Sequence, residues 1–282
     1  MINQILDGDI RDGLYAGNAP TTANPFITKV VLDLNAPRIV YGARNNYVSA
    51  SAITVGTTGE ISYVKSSDST LMMSWSGTLP LNITTAGVGG LDTGVEAANT
   101  WYAVYIIGDS TGANTPNTLL SVSFTAPTLP IGYDKFRRVG AVRNNGSGDF
   151  LIFLSNDKGI SRQVWYTQAV VGNILAGGSA TVRTTISCSA FIPPTSRQIN
   201  LNCQFRNDLA GAAATDFFIL FVTGVAAFIP EWFGTAGIKL TSINGTVTPQ
   251  VMPTDVSQNI DYSLANTNDR LTLFVQGYKD EL

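Results

Sequence analysis

Between Trp101 and Leu154, short runs of aromatic and β-branched residues alternate with clusters of Gly, Pro, Asn and Asp. Trp101 to Ile107 reads Trp-Tyr-Ala-Val-Tyr-Ile-Ile, which suits a pleated, mostly buried strand. Gly108 to Asn117 then gathers Gly, Asp, Ser, Asn and Pro into a surface loop. Leu120, Val122 and Phe124 alternate with Ser121, Ser123 and Thr125, so the next segment is expected to pack one face and wet the other. Pro127 and Pro130 interrupt ladder pairing, because proline has no N–H to donate. Arg138 to Arg143, Asn144 to Gly148 and Phe150 to Leu154 read as strand, turn and strand. Asn145-Gly146 supplies residues that tolerate positive φ at the turn.

The same rhythm runs through the rest of the chain. Strands are expected over Phe26 to Leu34, Arg38 to Tyr41, Ala52 to Val55, Ile61 to Val64, Leu71 to Ser76 and Leu81 to Thr84. Further strands are expected over Val164 to Val171, Ala180 to Ile192, Gln198 to Arg206, Asp216 to Thr223, Gly237 to Ile243, Gln258 to Leu264 and Arg270 to Tyr278. No long stretch carries capped helical periodicity. The expectation is an all-β protein: an extended arm over residues 1–28, then two antiparallel β-sandwich, jelly-roll-like domains over 29–157 and 158–282. The polar break at Ser155 to Gly159 sets that boundary.

One stretch carries a family likeness. Leu91 to Leu154 contains a Leu-Asp-Thr-Gly turn, an Asn-Thr-Trp-Tyr strand start, Thr-Ala-Pro-Thr-Leu-Pro, Phe-Arg-Arg-Val-Gly, and an Asn-Asn-Gly-Ser-Gly hairpin. This cassette, about a quarter of the chain, resembles segments of tail-fibre and other structural proteins of tailed bacteriophages. The resemblance implies a virion structural protein assembled in the host bacterial cytoplasm. A homo-oligomeric tail fibre or spike subunit, with a trimer favoured and host-surface glycan as a partner, comes first. A capsid fibre or decoration protein is the alternative.

Composition narrows the partners. Charged residues are 13% of the chain, against an average of about 25%, and the formal net charge is −3. Basic residues are scattered, with no stripe for phosphates, so nucleic acid is not expected as a partner. Arg137-Arg138, the one basic pair, reads as a solvated strand edge or an inter-subunit contact, with recognition of an anion as the alternative. The opening MINQILDGDIRDG has neither a basic start nor an apolar run of the secretory kind. The apolar stretch Phe217 to Pro230 is too short to span a bilayer, which needs about 20 residues, so no membrane insertion is expected. Without a signal segment, neither the closing Lys279-Asp280-Glu281-Leu282 nor the sequons at Asn82, Asn145 and Asn244 is expected to be read as an address or an acceptor.

Chemistry is constrained by what is missing. The chain has no histidine and two cysteines. Ser-His-Asp and Cys-His arrangements are therefore excluded within one chain, and soft ligands are too few for a structural zinc. No cofactor is expected, and the expected role is not enzymatic. A polysaccharide depolymerase using carboxylates alone is the opposing reading. Asp92, Glu96, Asp109 and Asp149, however, sit in turn sequences, where acids cap backbone N–H groups. Asp7 to Gly13 has the wrong spacing for a calcium loop, with Asn18 in place of a closing Glu. Val182, Thr184, Ile186, Cys188 and Ala190 share one strand face by alternation, as do Ile199, Leu201, Cys203 and Phe205. A turn at Pro193 to Ser196 would set Cys188 opposite Cys203, as reduced and inward-packed thiols.

Candidate binding residues follow from exposure patterns. In the arm, Ile5, Leu6, Ile10, Leu14 and Tyr15 are apolar anchors for docking onto other virion proteins. Trp75, Trp101 and Trp165 are expected in the core, whereas Trp232, beside Glu231 on a loop, is the candidate glycan contact.

Overall fold

The computed structural model describes residues 40–157, 161–167, 172–207, 218–224 and 245–282. These residues are all-β. In chain order the first strands are β1 (Val40–Tyr41), β2 (Asn45–Ser49), β3 (Ala52–Lys65), β4 (Met72–Asn82), β5 (Trp101–Gly108), β6 (Asn117–Ser121), β7 (Lys135–Arg143) and β8 (Phe153–Asp157). There follow β9 (Ser161–Tyr166), β10 (Asn173–Gly178), β11 (Thr184–Ser187), β12 (Ser196–Asn207), β13 (Phe218–Val222), β14 (Gly245–Pro253), β15 (Asn259–Leu264) and β16 (Asp269–Glu281). They form four antiparallel sheets in a sandwich-like arrangement. In the first, β3 pairs β1, β2 and β4; the second has order β6-β5-β7; the third has order β14-β12-β16-β9-β8 with β10 also on β16; the fourth has order β11-β15-β13.

Several expected strands are joined. Ala52 to Val55 and Ile61 to Val64 belong to one strand, β3, because the Gly-rich segment between them is a bulge in the pairing with β4 and not a turn. Gly56 sits there at φ +115°, and a Cβ on it would lie 2.3 Å from the Gly77 carbonyl oxygen. β5 is buried on both faces. Tyr102, Val104 and Ile106 enter the main core, while Ala103, Tyr105 and Ile107 pack with Leu119 under Phe124, Leu129, Tyr133 and Phe136. The alternation expected over Leu120 to Thr125 is corrected for the same reason. Leu119, Leu120 and Ser121 are all buried, β6 ends there, and Val122 is 58% exposed. At the Asn-Asn-Gly turn, Asn145 Oδ1 accepts the Ser147 and Asp149 N–H groups, and a single bridge, Asn144 to Phe150, closes the hairpin.

The third sheet is built on β16. Its thirteen residues pair with β12 along almost their whole length, with β10 near one end and with β9 near the other. The hairpin of β8 and β9 contains the polar break expected to separate two domains, and it pairs Phe153 with Tyr166 and Asp157 with Arg162. One contiguous buried cluster includes Val104, Leu120 and Val142 from before that break and Leu201, Leu273 and Val275 from after it.

Polar contacts cross the same seam. Asp280 is fully buried; its Oδ2 accepts from Arg138 Nη1 at 2.6 Å and its Oδ1 from Thr195 Oγ1 at 2.6 Å. Arg138 Nη2 also donates to the Glu281 carbonyl. Buried Arg162 donates to the Val139 and Ala43 carbonyls at 3.2 and 2.9 Å. The reading of Arg137-Arg138 as a solvated edge is thus corrected: Arg137 is buried, and Arg138 holds the end of β16.

Removing one partner of a sealed ion pair strands the other charge, which costs about 3–5 kcal/mol. Asp280→Ala is therefore expected to lower the unfolding free energy by that amount in urea titration. The exposed Lys135–Asp68 pair is the control, and Asp68→Ala should have far less effect. Equal, small losses from both variants would contradict the role given to Asp280.

Candidate functional site

Alternation along β12 separates two sets of side chains. Ile199, Leu201, Cys203 and Phe205 point into the core. Gln198, Asn200, Asn202, Gln204 and Arg206 occupy the opposite face, four of them in a run of carboxamides.

The register of the third sheet extends this face across five strands. One row runs Val251, Asn200, Gly277, Trp165 and Leu154, each paired with the next. The row beside it runs Pro253, Gln198, Lys279, Gln163 and Asn156. With strands about 4.8 Å apart, each row spans roughly 19 Å, and the two rows lie about 6.8 Å apart along the strands. In the first row Val251 is 49%, Trp165 39% and Leu154 63% exposed. In the second, Gln198, Gln163 and Lys279 are half-buried and Asn156 is exposed.

Two details shape the face. A Cβ on Gly277 would lie 2.0 Å from the Val164 carbonyl oxygen, so only glycine permits the close approach of β16 to β9 beside Trp165. Asn200 is buried with its Nδ2 lacking an acceptor, and Asn202 Oδ1 is sealed without a donor. Unsatisfied amides of this kind cost stability, roughly 1–3 kcal/mol each. Gln163 is held by donation from Nε2 to the Tyr278 carbonyl at 3.1 Å. An exposed indole with flanking carboxamides, which both donate and accept, matches a ligand having an apolar face and a hydroxyl rim.

The placement of Trp165 corrects its expected burial. Val164 is the inward residue of β9, and alternation sends Trp165 outward. Trp75 is buried, with Nε1 donating to the Val55 carbonyl at 3.4 Å, and Trp101 is half-buried, donating to the Ser189 carbonyl at 2.8 Å. The arm residues Ile5, Leu6, Ile10, Leu14 and Tyr15 and the loop pair Glu231 and Trp232 lie outside the described residues. So do the expected strands Phe26 to Leu34 and Gly237 to Ile243.

The cysteine hairpin is corrected as well. β11 pairs with β15 in the fourth sheet, and β12 belongs to the third, so Cys188 and Cys203 are not cross-strand partners. Val182 precedes β11 and is exposed. Both thiols are free and buried.

Three of the candidate acids serve as hydrogen-bond acceptors for the backbone or a neighbouring amide. Asp92 accepts from the Thr93 and Thr128 N–H groups, and Glu96 from Asn144 Nδ2. Hydrogen bonds from Thr111, then from Asn114, hold the Asp109 carboxyl at about 2. Among the described residues, no three His, Cys, Asp or Glu side chains gather in a metal-binding group. No helix among them is long and apolar enough to cross a membrane.

The chain matches no protein-family model, and no curated protein resembles it significantly.

Burial pushes both thiols up to about 12, so the thiolate is scarce at neutral and mildly alkaline pH. A thiol reagent at about pH 8 is expected to leave both cysteines unmodified in the native protein and to label both in denaturant. Rapid native labelling of either would contradict their burial.

Proposed function

We propose that this chain is a structural subunit of a tailed-phage virion, of the tail-fibre or spike kind, that engages host-surface glycan. The observation that carries the glycan reading is the exposed Trp165, set between Leu154 and Gly277, with the carboxamides of Gln163 and Asn156 in the adjoining row. An indole stacks on the C–H face of a sugar ring, and carboxamides exchange hydrogen bonds with its hydroxyls. The virion class rests on the cassette Leu91 to Leu154 and is compatible with the low charge and all-β fold. In this reading residues 1–28 form the attachment arm, and the subunit assembles as a homo-oligomer, with a trimer favoured. A non-enzymatic role is supported by the engagement of three candidate acids as structural hydrogen-bond acceptors, Asp109 within its own loop, Asp92 also toward Thr128 and Glu96 toward Asn144.

Trp165→Ala is the direct test. Binding to host cell-envelope glycans, followed by indole fluorescence or calorimetry, is expected to weaken at least tenfold, about 1.4 kcal/mol, with the melting temperature little changed. Unaltered glycan affinity in this variant, or no glycan binding by the parent chain, would remove the glycan reading.

A further inference from the structure

The seam between the second and third sheets carries a chain of four rings. Trp101 meets Tyr278 edge-on at 5.7 Å, Tyr278 meets Tyr166 at 6.0 Å, and Tyr166 meets Phe191 edge-on at 6.4 Å. Every polar tip on these rings is engaged. Trp101 donates to the Ser189 carbonyl, Tyr166 to the Phe191 carbonyl at 2.7 Å and Tyr278 to the Ala141 carbonyl at 3.1 Å.

Arg143 stands at the end of β7, directly opposite Trp101 in the β5–β7 register. Antiparallel partners place their Cβ atoms about 4.5–5.5 Å apart, so the two side chains leave neighbouring strands side by side, and the Arg143 charge is also close enough to be felt by Tyr166 in the ring chain. The side chain is only partly exposed, and its Nε is sealed without an acceptor. It has no ion-pair partner among the described residues, in contrast to Arg138 with Asp280, Arg183 with Asp261 and Lys135 with Asp68. Burial lowers its pKa from the ordinary arginine range, yet an arginine at neutral pH stays cationic. A partly desolvated guanidinium without a counter-ion is less favourable than a fully hydrated one, and the site gains from an incoming anion.

We propose that Arg143, with Trp101 beside it, is a second ligand site that takes the carboxylate of an acidic saccharide. The planar fork matches a carboxylate in geometry as well as charge, and the adjacent indole offers an apolar surface to the sugar ring carrying it. With Nε sealed, the anion meets the guanidinium at its Nη end. The site lies on the second sheet, apart from the Trp165 row on the third, so the two sites stand or fall separately.

The test is titration of the isotopically labelled chain with D-glucuronate, following the Arg143 Nε–H and Trp101 indole N–H resonances. Glucuronate is expected to shift both in a saturable way that weakens with added salt, whereas D-glucose leaves them in place. Arg143→Gln should abolish the response without lowering the melting temperature, because it removes a charge that has no ion-pair partner among the described residues. Arg143→Lys, which keeps the charge but not the fork, should weaken binding at least roughly tenfold. Trp165→Ala should leave the glucuronate response intact, which separates this site from the glycan-binding face. No saturable shift with glucuronate, an equal shift with glucose, or unchanged affinity in Arg143→Gln would each overturn the proposal.

Discussion

The burial of Asp280 against Arg138 is the contact on which the arrangement turns. A carboxylate removed from water needs a cation and hydrogen bonds around it, and Asp280 obtains them from strand β7 and from Thr195 just before β12. The end of β16 is thereby fixed against the second sheet. Its inward side chains can reach that position only if their parity is right. From Leu271 through Val275, odd-numbered residues face the core; from Tyr278 onward, even-numbered ones do. The irregularity between Val275 and Gly277 makes that switch, since one extra residue reverses every side chain beyond it.

The same bulge lays out the outer face. By sending Tyr278 and Asp280 inward, it sends Gly277 and Lys279 outward, in line with Trp165 and Gln163 on β9 and with Asn200 and Gln198 on β12. Fold and candidate site thus share one cause. The glycine forced by the close approach of β9 leaves no side chain at that position in the row beside Trp165. In the proposed reading the chemistry of this face is stacking and hydrogen-bond exchange with a sugar ring.

Where alternation and burial coincide, strands were legible in the amino-acid order: β5, β12, β13, β15 and β16 lie where their β-branched and aromatic runs place them. β14 was not recognisable, because Pro249 and Pro253 argue against a strand. It is an edge strand, and Pro249 falls in a register irregularity between Gln250 and Val247, where proline costs little. The pairing of Cys188 with Cys203 failed for a different reason. A plausible turn at Pro193 to Ser196 says nothing about which sheet receives the strand that follows. The outward amides of β12 were readable as the complement of its apolar face. Their alignment with Trp165 was not, because it depends on long-range register through β16, to which local pattern is blind. The proposed Arg143 site was equally hidden, since it is defined by the lack of a carboxylate among the described residues where the fold brings strands together.

If β16 binds the second and third sheets into one cooperative body, native-state hydrogen exchange is the most direct check. Amides of β5 and β7 and those of β16 from Leu271 to Lys279 should then exchange with one common opening free energy, and Asp280→Ala should lower it for both sets together. Separate opening free energies for the two sets, with only β16 responding to the substitution, would contradict that account.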